Sequence, residues 1–190
     1  MNIKLNTLRI LFFTYLIFLF FLLSTNNFVL GDLNTFFLFY FIQLIIVLEV
    51  VNFILKRLKL AIDIKPAYLI LIIYTVVNSL TLAYYPQLRD IIFNRTGHLI
   101  SGVIYAIVAI EIIKASLVKT KSKLTKPLNL WFIFSLASTA GIFNEIIELG
   151  LDITTGSHRI GPGFDTAIDL LMNTFGILLV LIVKESSRKK

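Results

Sequence analysis

Cysteine is absent from the 190-residue chain, and only two histidines occur, His98 and His158. Without a thiol there is no disulfide framework, no thiolate metal site and no cysteine nucleophile. Two imidazoles also exclude a three-histidine zinc centre. Charge is scarce, at 15% of residues against 57% hydrophobic, and the mean hydropathy is +0.88. A soluble domain needs a more polar surface than that composition supplies. No nucleophile elbow, Walker loop, metalloprotease helix or dinucleotide fingerprint is found either, so no familiar catalytic motif declares itself.

What is present is a series of long apolar runs separated by short charged clusters. Six runs approach the roughly 20 residues that cross a hydrocarbon core: about Leu8–Ser24, Phe36–Leu55, Pro66–Tyr85, Gly97–Val118, Leu128–Gly150 and Asp165–Val183. In lipid every backbone amide must be satisfied internally, and the segments lack the alternation of a barrel, so helices are forced. The first run lacks a small-residue cleavage site and meets Asn26 and Asn27, so it reads as a span rather than a secretory signal. The expected fold is an all-α integral membrane protein, a bundle of six transmembrane helices. No long linker, internal repeat or low-complexity segment breaks the chain, which reads as one transmembrane domain over 1–190.

Basic residues set the orientation. Lys4 and Arg9; Lys56, Arg57, Lys59 and Lys65; Lys114, Lys119, Lys121, Lys123 and Lys126; and Lys184, Arg188, Lys189 and Lys190 all fall on one side. Only Arg89, Arg95 and Arg159 fall on the other. The positive-inside rule places both termini in the cytoplasm. The net charge of +7 then marks a face against anionic lipid, so membrane lipids are the expected partners and nucleic acid is not. Asn94-Arg95-Thr96 matches a glycosylation sequon but lies too close to a membrane entry to be a good acceptor.

Ionisable groups at membrane depth are costly and need a partner or a purpose. Glu111 has Lys114 one turn away, an ordinary ion pair. Glu49 is expected to reach Arg57 or Lys56, or to hydrogen-bond near Gln43 and Asn52. The outer side is different. Glu145, Glu148, Asp152, Asp165 and Asp169 occur within 25 positions. His98, Ser101 and Tyr105 share one helical stripe; Ser138, Gly141, Glu145 and Glu148 form another; Asp165, Asp169, Asn173 and Gly176 a third. Topology brings these helix ends to one membrane face, and Gly141 and Gly176 allow close backbone approach.

Part of this has a plain explanation. Asp165 suits a helix start through capping and the macrodipole, and Asp152, Ser157 and the "GSHRIGPG" turn are loop material. Asp169 and Glu145 fit less well, because each sits a turn or more inside its span. Carboxylates so close together repel unless a cation intervenes: His98, His158, Arg159, Arg89, Arg95 or a metal. One or two imidazoles with several carboxylates suit magnesium, calcium, manganese or an oxygen-rich zinc site, with His98, Glu145, Glu148 and Asp169 as ligands. A carboxylate beside a histidine also suits general acid–base hydrolysis, with His98, Glu145, Glu148, Asp165 and Asp169 as catalytic candidates. Ser101, Tyr105, Arg159 and Asn173 complete the set as ligand-binding candidates. Ser101, Ser138 and Thr166 offer hydroxyls, but nothing marks any of them as a nucleophile.

"DLLMNTFG", with Asp169, Asn173 and Gly176, resembles the D-x-x-x-N-x-x-G ending of VanZ-like membrane proteins. In those an earlier helix ends in E-x-x-Q, followed by a loop with proline and arginine; the counterparts here are Glu145 and Glu148, then Arg159 and Pro162. His98 opening an earlier span is similar to the same pattern. Glu148 in place of glutamine and a longer loop before Asp169 depart from it. The pairs in "NEIIELG" and "FDTAID" more closely resemble the YjdF-like branch of small bacterial or archaeal multispan proteins. The resemblance covers about 98–176. It implies association with low-level resistance to a lipoglycopeptide, teicoplanin, for the VanZ-like group and no defined activity for the YjdF-like group.

Three functions follow as expectations. The first is a cell-envelope protein binding a lipid-linked or amphiphilic small molecule. The second is an intramembrane hydrolase or transferase acting on lipid headgroups. The third is a small cation- or proton-coupled transporter, which requires Glu49 or Glu111 to share a path with Asp169. The absent nucleophile signature weighs against the second, and the absent repeats against the third.

Overall fold

The computed structural model describes residues 4–24, 35–84, 94–156 and 164–187. They form six helices and, among the described residues, no strand: α1 Leu5–Ser24, α2 Thr35–Arg57, α3 Lys65–Tyr84, α4 Thr96–Thr120, α5 Lys126–Thr155 and α6 Asp165–Ser187. Each helix coincides with one of the expected apolar runs. The stretches Leu5–Leu22, Thr96–Thr120, Lys126–Thr154 and Asp165–Ser187 are long and apolar enough to cross a membrane, while that of α3, Lys65–Thr81, is shorter.

Helix ends follow local chemistry. Pro127 sits in the first turn of α5, where its missing N–H costs nothing. Gly156 closes that helix in the left-handed region, its N–H bonding the Asp152 carbonyl at 2.9 Å. Helix α5 therefore runs five residues past the expected end at Gly150. At about 1.5 Å per residue it is longer than a hydrocarbon core of about 30 Å. Helices α2 and α4 end on lysines in the left-handed region, Lys59 (φ 58°) and Lys121 (φ 52°). The following N–H groups reach back to Leu55 and Leu117 at 2.8 and 3.1 Å, closing Schellman turns.

The chain groups into two compact units, α1–α3 and α4–α6. In the first, Leu8, Phe12, Leu16 and Leu19 put one face of α1 against buried Phe41, Ile45 and Leu48 of α2 and Tyr68 and Leu71 of α3. Glu49 is engaged by Arg9, forty residues earlier, through two 2.7 Å hydrogen bonds from Nε and Nη2. The Tyr68 hydroxyl donates to the same carboxylate, and Tyr15 bonds Ser79 nearby. The expected partner Arg57 instead lies over the Phe53 ring at 5.1 Å. The expected neighbour Asn52 does hydrogen-bond Glu49, but periodicity along one helix shows local neighbours only, and the whole arrangement spans three helices.

In the second unit α4 packs against both α5 and α6. Ala106 and Ala109 of α4, Ile133 and Ala137 of α5, and Ile177 and Leu181 of α6 form its core. The α4/α6 contact is backbone to backbone. A β-carbon on Gly102 would strike the Asn173 carbonyl, and one on Gly176 would strike the Leu99 carbonyl. Gly141 of α5 lies against the Asn173 side chain, where a β-carbon would stand 3.3 Å from Nδ2. Such small-residue seams suit lipid, where packing rather than hydrophobic expulsion drives association.

The burial pattern is the reverse of a soluble protein's. Ile10, Ile17 and Phe21 of α1, Trp131, Phe143, Ile146 and Ile153 of α5, and Ile182 of α6 lie on the outside. Asn52, Asn78, His98, Glu145, Asp169 and Asn173 are buried. An apolar surface this continuous needs an apolar solvent.

Candidate functional site

The start of α4, the later part of α5 and the start of α6 meet at one end of the α4–α6 unit. His98, on the first turn of α4, is 6% exposed; Glu145 on α5 is also 6% exposed, and Asp169, second turn of α6, 3%. The imidazole lies between the two carboxylates. Nδ1 stands 3.3 Å from Glu145 Oε1, and Nε2 stands 3.6 Å from Asp169 Oδ2. Asn173, one turn further along α6, brings its Nδ2 to 3.4 Å from Nδ1. Ser101 is buried one turn along α4 and hydrogen-bonds the partly buried Tyr105.

Arg95, just before α4, closes one side. Its Nη1 donates to Asp169 Oδ1 at 2.6 Å and its Nη2 to Asp165 Oδ1 at 2.5 Å. Burial works against the guanidinium's charge, but the hydrogen bonds to Asp165 and Asp169 outweigh it and hold the pKa above the usual arginine range. Glu148 accepts a 2.8 Å hydrogen bond from Asn144 Nδ2. The group whose ligand atoms converge, all within 4.8 Å of one another, is His98, Glu145 and Asp169.

The sequence candidates thus separate. His98, Glu145, Asp169 and Asn173 come together, with Asp165 tied in through Arg95. Ser101 and Tyr105 lie alongside on α4. Glu148 lies on the same helix as Glu145 with its carboxylate bonded to Asn144. Arg159, His158 and Pro162 fall outside the described residues. Arg95 was expected only as one of several cations that could stand between the carboxylates, and Gly102 was not among the expected packing residues. Arg95 shared its loop position with other outer-side cations, and Gly102 carries no charge to draw notice, although it lies four residues from His98.

Among the described residues, the carboxylates of Glu145, Asp165 and Asp169 are met by one guanidinium, that of Arg95, and one imidazole, that of His98. Glu145 Oε1 and Asn173 Oδ1 are buried and accept no hydrogen bond, as is Ser138 Oγ deeper on the same face of α5. Buried polar atoms are rarely left this way. With the Asn173 amide donating to Nδ1, the imidazole proton sits on Nε2 and Nδ1 faces a bare carboxylate oxygen. The opposite tautomer merely moves that conflict to Asp169. The arrangement can therefore hold a proton, a cation or a hydrogen-bond donor between His98 and a carboxylate.

An apolar exterior, membrane-length helices and a polar cluster sunk in a three-helix unit define a multi-pass helical membrane protein with an internal polar site. Residues 7–190 match the model of a family described as "Predicted membrane protein (DUF2238)", and the chain belongs to that family. No curated protein and no solved structure matches the chain.

Proposed function

We propose that the protein is a six-span plasma-membrane protein with both termini in the cytoplasm, and that the His98/Glu145/Asp169 cluster binds the headgroup of a lipid-linked or amphiphilic molecule at the extracytoplasmic face. The observation that carries this reading is the buried, acceptor-rich cluster with two unsatisfied oxygens, Glu145 Oε1 and Asn173 Oδ1. A purely structural polar knot would satisfy its own members, because each buried orphan costs about 1–3 kcal/mol. The lysine-rich turns after α2 and α4 support the orientation. A ligand with an apolar tail reaches such a site from within the bilayer. The resemblance of Glu145, Asp169, Asn173 and Gly176 to the VanZ-like and YjdF-like pattern is in keeping with an envelope role.

A second reading, an acid–base or metal-dependent hydrolase or transferase on lipid headgroups, is favoured by His98 standing between two carboxylates. Transport draws no such support, since the Glu49 carboxylate is taken up by Arg9 and Tyr68 and Glu111 lies 3.4 Å from Lys114.

The test is mass spectrometry of amphiphiles retained by the purified protein, wild type against the Glu145→Gln, Asp169→Asn double variant. Wild type should retain one class near equimolar amounts, and the variant should lose at least about tenfold. Equal retention would contradict a binding role. Retention of the molecule by Asp169→Asn together with loss of its turnover would favour the hydrolase.

A further inference from the structure

We propose that the cluster is a binding site for a divalent first-row transition ion, of the zinc or manganese class, held by one nitrogen of His98, one oxygen of Glu145 and one of Asp169. This rests on reading the cluster as a ligand site and states how that site is charged. Three independent observations converge on it.

The first is spacing. One ligand atom from each residue lies within 4.8 Å of the other two. Around a tetrahedral ion with bonds of about 2.0–2.2 Å, ligand atoms stand about 3.3–3.6 Å apart. The 3.3 Å between His98 Nδ1 and Glu145 Oε1 already has that value, and closing the third ligand takes a shift of at most about 1.5 Å.

The second is the pair of orphaned acceptors. Glu145 Oε1 accepts no hydrogen bond although Glu145 is only 6% exposed, and Asn173 Oδ1 is equally unmet at 2%. Both are oxygens without a donor, which is what a cation satisfies. A neutral imidazole leaves one nitrogen lone pair against a carboxylate, a conflict that a second ring proton or a metal ion relieves, and the titration below separates the two.

The third is charge. Among the described residues Arg95 is shared by Asp165 and Asp169 while Glu145 meets only the His98 imidazole, and a divalent ion would supply positive charge to that side of the cluster. Arg95 keeps Asp169 Oδ1 occupied at 2.6 Å, leaving Oδ2 toward the imidazole side. The imidazole selects against magnesium and calcium, which favour all-oxygen shells.

A bound ion changes what the site recognises. Bare, it is a set of acceptors that repels phosphates and carboxylates. Loaded, with three protein ligands and an open position, it attracts an anionic headgroup.

The test uses full-length protein purified in detergent without chelator. Elemental mass spectrometry should find about one zinc or manganese per chain. Chelator-stripped protein should regain it in calorimetric titration with Zn²⁺ or Mn²⁺ and not with Mg²⁺ or Ca²⁺. Glu145→Gln and Asp169→Asn should weaken binding at least tenfold, Asp169→Glu should recover part, and Glu148→Gln should match wild type. Should the variants fail to fold, as read by size-exclusion elution, the stripped wild-type titration decides alone. Wild type that neither carries nor takes up an ion overturns the inference, as does a loss in Glu148→Gln equal to that in Glu145→Gln. An amphiphile retained without an ion overturns this inference and leaves the ligand reading standing; an ion bound without any amphiphile does the reverse.

Discussion

At the scale of single residues, the site is governed by Asp169, which serves two partners. Its Oδ1 takes the Arg95 guanidinium and its Oδ2 faces His98. Removing one member of such a pair strands the other in a buried place, which costs more than the pair itself is worth. Arg95→Gln should therefore lower the melting temperature in detergent. Full burial of both partners would make the cost about 3–5 kcal/mol, and the partial exposure of Arg95 reduces it. Combining Arg95→Gln with Asp169→Asn should restore part of the loss, since the stranded charge is gone. Additive losses in the double variant would show that the two do not act as a pair. Helical stripes on the sequence brought His98, Glu145, Asp169 and Asn173 to one face, and the structure brings those four together. The same stripes could not separate Glu145 from Glu148, because three positions differ by only a fraction of a turn. The Glu148 carboxylate accepts a hydrogen bond from Asn144, one turn away, and lies outside the converging group. Nor could they pair Glu49 with Arg9, whose meeting depends on how two helices rotate against each other.

At the scale of elements, the α4/α6 contact fixes the distances inside the cluster. Gly102 lies one turn past His98, and Gly176 lies two turns past Asp169, so the seam begins where the cluster ends. An alanine at either glycine drives a methyl group into the backbone of the other helix. Overpacking of this kind costs about 1–3 kcal/mol or more, and here the opposing atoms are main chain and cannot swing away. Gly102→Ala and Gly176→Ala should each lower the melting temperature, whereas Gly150→Ala, with nothing within 4 Å of its added carbon, should leave it unchanged or raise it slightly. A Gly102→Ala protein as stable as wild type would mean that α4 and α6 are not in backbone contact. Gly176 was legible because its charged neighbours on α6 defined the inward face. Gly102 was not, since a glycine among Ser101, Val103 and Ile104 reads equally well as lipid-facing. The helices themselves were legible to within about five residues at each end, because apolar length and the charged breaks between runs both follow from the bilayer. Helix α5 differs most, continuing past Gly150 until Gly156 allows the left-handed turn.

At the scale of the whole molecule, the account depends on which side of the membrane the cluster faces. The proposed topology puts the lysine-rich turns at Lys56–Lys65 and Lys114–Lys126 on the opposite side from the loop holding Arg159. An envelope ligand approaching from outside requires the His98/Glu145/Asp169 end to be the outer one. The absence of cysteine from the chain makes this directly measurable, since any single introduced thiol is the sole target. The decisive measurement is labelling of Arg159→Cys and Lys123→Cys in intact cells with a membrane-impermeant maleimide. The account predicts that Arg159→Cys is labelled in intact cells and Lys123→Cys only after lysis. Labelling of Lys123→Cys in intact cells, with Arg159→Cys protected until lysis, would put the cluster on the cytoplasmic side and contradict it.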